Sequence, residues 1–361
     1  MPSSFGRTAP SDPTYVLASA ANGVAAVIED LGGDPDRAFG RAGIDPGVLD
    51  EPLNPVGLRN YCHLLHEASL QTQHENFGLV FGSDFVPPRL GAIGYLTITA
   101  PTMSNAVRSL CGYFPAHQRQ TVLEVRSVGD NLAIVYEVLD ESVDRRQDAE
   151  FSIAAFWHMF RHCLGSSWAP LQVSFSHPAP SSREEHERLF GAPVEFNREA
   201  NCFLFRRADL WHVMPTQDPL LYEIMLGLLR DRMPVAAAET VQPADGSART
   251  AFVPDCQFID QVRAIVAEQL RDGGPNLEET ARRLFMSTTT LYRRLKDLGL
   301  TFHEIVLALR REHALSYMRD DTLSLTHIAL LLGYSELSAF SRAFRHWTGM
   351  SPAQYRRSLG V

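Results

Sequence analysis

No apolar run in these 361 residues approaches the roughly 18 needed to cross a bilayer, which excludes a membrane-spanning helix. The stretch 1–13 has one Arg and several Ser and Pro but no apolar centre. It does not read as a secretory signal, and the expected location is the cytoplasm. Cysteine is scarce. Cys62, Cys111, Cys163, Cys202 and Cys256 are odd in number and widely spaced, without a Cys-x-x-Cys pair, so buried free thiols are expected rather than a zinc or redox site. Also missing are a Gly-x-Gly-x-x-Gly or Gly-Lys-Ser/Thr phosphate loop and the Gly-x-Ser-x-Gly elbow that Ser166-Ser167 or Ser181-Ser182 would need for hydrolysis. His158 and His162 stand four apart, a spacing that suits a metal, but no Glu lies between them and no third ligand accompanies them. Neither a cofactor, a metal nor a catalytic residue is expected.

Basic residues are in short supply too, 33 Lys+Arg against 42 Asp+Glu, a net charge of −9 that argues against a polyanionic partner for the whole chain. The shortage is local. From Asp255 to Val361 there are 14 Lys+Arg and 12 Asp+Glu, so an acidic body carries a mildly basic tail.

The segment Pro234–Pro254, rich in Pro and small residues, reads as a linker between a domain over 1–233 and another over 255–361. In the first domain Tyr15–Leu31 and Gly57–Gln71 read as helices, with a shorter helix within Asp34–Asp50. Ile93–Thr99 reads as a strand and Met103–Phe114 as a helix. Val122–Val128 and Leu132–Leu139 flank Gly129-Asp130-Asn131 as a hairpin. A helix at Asp148–Leu164, a strand through Leu171, Val173 and Phe175, a helix at Glu184–Phe190 and a last strand pair, Val194–Phe196 with Cys202–Phe205, complete an α+β domain with a mainly antiparallel sheet. Tyr95, Phe114, His117, Phe156 and Trp157 fit the lining of an effector pocket, apolar with a few polar handles, and fit a plain core as well.

The second domain is all-α, with helical periodicity over Phe258–Leu270, Leu277–Leu284, Ser287–Leu298, Phe302–Met318, Leu325–Leu332, Leu337–Trp347 and Pro352–Arg357. It contains a repeat. A shift of 48 residues superposes Ala281 on Ala329, Leu284 on Leu332, Met286 on Tyr334 and Ser287 on Ser335, and a shift of 49 superposes Leu291 on Phe340 and Leu295 on Phe344. Each copy reads helix, short turn, helix, with a small Ala where the helices cross. The second helix of each copy buries the 291/295 or 340/344 stripe and leaves a polar face free. That face holds Thr288, Thr289, Tyr292, Arg293 and Lys296 in the first copy, with Ser287 as a further candidate at the start of its helix, and Ser338, Ser341, Arg342 and Arg345 in the second. Such side chains suit double-stranded DNA, because Arg bonds guanine O6 and N7 while Ser and Thr donate, accept and touch the thymine methyl. Phe302–Met318, roughly 25 Å long, is a rigid spacer able to set two recognition helices into successive major-groove segments.

At these residues the sequence resembles the AraC/XylS family of bacterial transcriptional regulators. The resemblance covers about 258–357. It rests on Ile328-Ala329, Gly333-Tyr334, Phe340-Ser341-Arg342-Ala343-Phe344, Gly349, Ser351-Pro352 and Tyr355-Arg356, with Arg310 and Ala314 in the spacer. It implies two helix-turn-helix units, DNA bending or asymmetric binding, contact with RNA polymerase, and a lean towards activation. It gives Thr289, Tyr292 and Arg293 as base readers of the first unit and Leu337, Ser338, Ser341 and Arg342 as those of the second, Leu337 standing where a polar residue is often found. The N-terminal part resembles the arabinose-binding-like domain of ornithine-utilisation and VirS-type regulators. The marks are Leu90-Gly91-Ala92-Ile93-Gly94-Tyr95, Pro101-Thr102, His177-Pro178-Ala179-Pro180 and Leu189-Phe190-Gly191-Ala192-Pro193-Val194. That likeness implies sensing of a small-molecule effector, whose identity it does not name, and assembly as a homodimer. Two other readings stay open: an enzyme-like N-terminal domain fused to a DNA-binding tail, and a ligand-independent assembly protein that binds DNA.

Overall fold

The computed structural model describes residues 14–232, 252–271, 274–298 and 300–358. The chain divides into two compact units.

The N-terminal unit opens with β1 (Tyr15–Leu17), α1 (Val24–Asp30), α2 (Pro35–Ala42), β2 (Pro55–Gly57), α3 (Leu58–Thr72) and α4 (Phe77–Ser83). Then come α5 (Ala92–Thr99), α6 (Met103–Tyr113), β3 (Thr121–Val128), β4 (Asn131–Val138) and α7 (Arg146–Leu164). The remainder is β5 (Gln172–Ser174), α8 (Glu184–Phe190), β6 (Val194–Glu195), β7 (Asn201–Arg206) and α9 (Pro219–Arg232). The sheet runs β3-β4-β7-β5-β6, antiparallel except for the β5/β6 pair, with Leu123 opposite Tyr136, Ile134 opposite Phe203 and Val173 opposite both Phe203 and Val194. The α+β architecture with a mainly antiparallel sheet is therefore observed.

Helix α7 is the spine of this unit. From Gln147 to Trp157 every side chain is buried, the mark of a helix packed on all sides. On one side Phe160 meets Phe203 and Phe205 of β7, with ring centroids 5.0 and 5.2 Å away. On the other side α4 lies so close that a Cβ on Gly78 would stand 2.0 Å from the Gln147 carbonyl oxygen, and one on Gly82 would stand 2.6 Å from that of Phe151. Fully buried Glu150 of α7 gathers three basic side chains: Arg146 Nε at 3.1 Å, His177 Nε2 at 3.3 Å and His186 Nε2 at 3.2 Å. This cluster explains the His177-Pro178-Ala179-Pro180 segment as a clasp between α7 and α8. Gly191, left-handed at φ +64°, then ends α8 and releases the chain into β6.

Three expectations are corrected. Ile93–Thr99 is a helix, because its β-branched residues are buried on several faces and the Thr97 and Thr99 hydroxyls bond back to the carbonyls of Ile93 and Tyr95 at 2.8 and 2.7 Å. Tyr15–Leu31 is not one helix. Tyr15–Leu17 pairs antiparallel with Pro55–Gly57, and Gly23 at φ +87° precedes α1. Val194–Glu195 does not pair with Asn201–Arg206, since β5 lies between them and takes β6 in parallel. The linker expected at Pro234–Pro254 lies outside the described residues except for its last three, which start a helix.

In the C-terminal unit the described elements are all helical: α10 (Phe252–Arg271), α11 (Leu277–Arg283), α12 (Thr288–Asp297), α13 (Phe302–Tyr317), α14 (Leu325–Leu331), α15 (Leu337–Thr348) and α16 (Pro352–Ser358). Their starts are written locally. Asn276, Ser287, Thr301 and Ser324 accept backbone N–H bonds as N-caps, and Thr301 with Glu304 forms a capping box. Ala314 of α13 and Met318, which caps its C-terminal end, join Ile328, Ala329, Leu332, Phe340 and Phe344 in one buried cluster, which fixes the second helix pair onto the spacer helix. Among the described residues no helix is long and apolar enough to cross a membrane.

Candidate nucleic-acid interface

Each second helix of the repeat has one buried edge and one open face. In α12, Leu291 and Leu295 are fully buried, while Ser287, Thr289, Tyr292, Arg293 and Lys296 are exposed and Thr288 is half-buried. In α15, Phe340 and Phe344 are buried, Ser338, Arg342 and Arg345 are exposed, and Ser341 is half-buried. The geometry thus gathers the polar side chains of each copy on one accessible face. Leu337 differs, being half-buried and packed against the second unit's core cluster. Lys296, the one lysine of the sequence, stands on this face of α12. Arg293 makes no ion pair among the described residues. Arg294 next to it turns inward, its guanidinium 3.9 Å from the Phe258 ring centroid, so of two adjacent arginines one packs into the fold and the other faces outward.

The second face carries a carboxylate that the sequence reading did not single out. Glu336, the N-cap residue of α15, accepts a short hydrogen bond from the Ser338 hydroxyl and lies 3.9 Å from the Arg342 guanidinium. Two of the side chains expected to face DNA therefore stand beside a carboxylate, a group that phosphate oxygens would repel.

The turns inside the two units are unequal. In the second, Gly333 takes φ +71°, and Arg310 of α13 donates to the carbonyls of Leu332 and Gly333 at 2.9 and 3.2 Å while its guanidinium lies 4.8 Å from the Tyr334 ring centroid. This one side chain closes the C-terminal end of α14 and fixes the turn to the spacer helix. In the first unit the same place in the repeat is Phe285, at φ +54° and 98 % exposed. The 48-residue shift that aligns the two copies already pairs Phe285 with Gly333, so the signal was present in the sequence.

Of the five residues read as an effector pocket, the structure brings three together. Phe114, His117 and Phe156 line a small cavity that Phe85, Leu90 and Ser152 help to close, with room for about one water molecule. Burial pushes His117 down to about 4, so its ring is neutral near pH 7, and its Nδ1 has no hydrogen-bond partner. Beside it, Gln118 Nε2 donates to the Tyr136 hydroxyl at 2.7 Å, and that hydroxyl donates to Asp148 at 2.7 Å. Burial raises Asp148 to about 7 against the lowering effect of the Tyr136 hydrogen bond. Tyr95 and Trp157 do not line the cavity. Tyr95 is exposed on α5, and buried Trp157 meets the Phe190 ring edge-on at 5.7 Å. Among the described residues no cluster of His, Cys, Asp and Glu is arranged to hold a metal.

Comparison with known proteins gives two family matches. The arabinose-binding domain of AraC transcription regulators, an N-terminal domain, matches residues 32–212, and a helix-turn-helix domain matches residues 280–358. The ornithine utilization regulator of Pseudomonas aeruginosa is 26% identical over 347 residues, 92% of this chain and 93% of that one. The transcriptional regulator VirS of Mycobacterium tuberculosis is 28% identical over 340 residues, 93% and 94% of the two chains. Among solved structures, the transcriptional regulator CdpR from Pseudomonas aeruginosa aligns with 90% of this chain and 96% of its own at 21% identity and a TM-score of 0.44.

Proposed function

The chain belongs to the AraC family of transcription regulators, with an N-terminal arabinose-binding domain and a DNA-binding helix-turn-helix domain, and from that membership we propose a ligand-responsive activator that works in the cytoplasm as a homodimer. Residues 1–233 sense the effector, 234–254 link, and 255–361 read double-stranded DNA. The observation that carries this reading is the pair of helices α12 and α15, which bury matched stripes and expose matched polar faces. Thr289, Tyr292 and Arg293 read bases for the first unit, and Ser338, Ser341 and Arg342 do so for the second. Ser287, Thr288, Lys296 and Arg345 contact the backbone, and the half-buried Leu337 supports its helix instead. The complex then engages RNA polymerase.

The effector enters through the His117 cavity. With His117 neutral and aromatic walls around it, this site favours an apolar body with one hydrogen-bonding group. Because the cavity holds about one water as it stands, the ligand selects a more open state, and that differential affinity is what couples binding to transcription. The ligand leaves unaltered.

Arg293→Ala tests the DNA reading. It is expected to cost on the order of 1–3 kcal/mol at the specific operator and to relax preference at one base position. An equal loss on random DNA would assign Arg293 to phosphate. For the sensor, a ligand that raises the melting temperature of wild type but not of His117→Phe supports the cavity. A ligand recovered chemically changed would favour the enzyme-like reading.

A further inference from the structure

Glu336 stands where neither the fold nor a polyanionic partner favours it. From Thr322 to Val361 the sequence has a single acidic side chain against four arginines, and that carboxylate begins α15, the second recognition helix. It is not there as a cap. The residues that start α11, α12, α13 and α14 each accept a backbone N–H with their side chains, whereas Glu336 makes no such bond and its side chain is 62 % exposed. At the start of the first recognition helix Ser287 does cap, its hydroxyl accepting from the Thr290 N–H at 3.1 Å.

The contacts that Glu336 does make leave it open to a donor. The Ser338 hydroxyl and the Arg342 guanidinium 3.9 Å away both approach Oε1, and Oε2 has no hydrogen-bond partner among the described residues. At that distance the guanidinium is beyond hydrogen-bond reach, and its donors stay free among the described residues. The face of α15 therefore sets an acceptor beside an unused donor fork, a separation close to the rise of about 3.4 Å between neighbouring bases of a strand. The N-terminal end of a recognition helix is the part that meets base edges. A carboxylate there is repelled by phosphates and by the major-groove acceptors of guanine, adenine and thymine. Cytosine is the base whose major-groove edge offers an amino donor with no acceptor beside it.

We propose that Glu336 sets the sequence preference of the second unit, its Oε2 accepting from the N4 amino group of a cytosine next to the guanine held by Arg342. This assignment rests on the reading of α15 as a DNA-facing helix and deepens it. Glu336 also weakens binding to sequences that lack the cytosine, so the second unit discriminates by rejection as well as by contact.

The experiment is selection of bound duplexes from a random double-stranded oligonucleotide pool by the full chain, followed by competition titrations. Wild type is expected to enrich a guanine beside a cytosine, and to bind that duplex about tenfold more tightly than one with thymine in place of the cytosine. Glu336→Gln moves the preference at that position to adenine, which glutamine bonds at N6 and N7, and binds random duplexes roughly threefold more tightly. Glu336→Asp keeps the charge, but its shorter side chain turns back to cap α15. It loses the cytosine preference while its melting temperature equals or exceeds that of wild type. Arg342→Ala loses the neighbouring guanine and keeps the bases read by the first unit.

If Arg342→Ala alters a selected base but Glu336→Gln still selects cytosine, or tightens on every duplex by one factor, Glu336 faces phosphate alone. That result overturns the proposal and leaves α15 a reading helix. Should Arg293→Ala change the selected bases while Arg342→Ala changes none, the second unit reads no sequence, and both the proposal and that part of the functional reading fall. A wild type that enriches no sequence overturns the DNA reading as a whole.

Discussion

At the scale of single residues, Phe285 and the pair His117 and Asp148 are where local rules are broken. Phe285 holds a left-handed backbone that costs a non-glycine residue about 1 kcal/mol, and at 98 % exposure its ring gains nothing from burial. Nothing in the described residues explains the aromatic side chain there. Phe285→Gly is expected to raise stability by about 0.5–1 kcal/mol, net of the extra unfolded-state entropy of glycine, read as a melting temperature a few degrees higher. His117 and Asp148 have opposite linkages. The depressed His117 binds its proton more weakly folded than unfolded, so it costs stability as pH falls from about 6.5 to about 4. The raised Asp148 binds its proton more tightly folded, so it adds stability as pH falls from about 7 towards 4. In wild type the two cancel over most of that window. Asp148→Asn should therefore lose about 2–4 kcal/mol relative to wild type on acidification across it, and His117→Phe should gain a similar amount, in denaturant titrations at fixed pH. Parallel pH profiles for both variants and wild type would show that neither group titrates as placed.

At the scale of elements, α7 and the two recognition helices are positioned by different means. α7 is held by close packing, and Gly78 is where that packing has no slack. Gly78→Ala sets a methyl against the Gln147 backbone, and because the Gly78 N–H donates to the Gln147 side chain at 2.7 Å, α4 cannot slide away without losing that bond. The expected cost is about 1–3 kcal/mol, the usual range for overpacking, measured by urea unfolding. A neutral result would mean that α4 moves freely on α7. The recognition helices are held by alternation instead: a pair of Leu or Phe residues four apart faces inward and polar residues face outward. This is why they were legible in sequence. A surface helix on a small core shows a clean period, whereas α5, buried on several faces, shows none, and its β-branched residues suggested a strand. α4 and α9 gave weaker signals. α4 is short and nearly all buried, and α9 has apolar residues on both its inner and its outer face.

At the scale of the whole molecule, a chain of net charge −9 binds a polyanion through a small set of cations. On the exposed faces of α12 and α15 these are Arg293, Lys296, Arg342 and Arg345, of which Arg342 lies 3.9 Å from Glu336, while Arg282 and Arg283 of α11 are engaged by Glu279 and Glu268. With Arg293 and Arg342 on bases, the two cationic backbone contacts, Lys296 and Arg345, predict a slope of about −2 in log affinity against log salt per protomer, doubling for a dimer on DNA. A slope several units steeper would place further phosphate contacts on residues outside these two faces. The sequence alone determined the two-unit plan, the helix-turn-helix repeat and the candidate DNA-facing residues, because helix period, N-caps and an internal repeat are properties of neighbours along the chain. It also determined the mainly antiparallel character of the sheet, since a hairpin needs only its own turn. Only the tertiary structure decided the insertion of β5 between β6 and β7, the Glu150 clasp, the choice of Phe114, His117 and Phe156 over Tyr95 and Trp157 for the cavity, and the inward turn of Leu337. Each of these depends on which distant segments compete for the same buried space. A sequence names the groups that want burial or partners, and packing decides which of them get it.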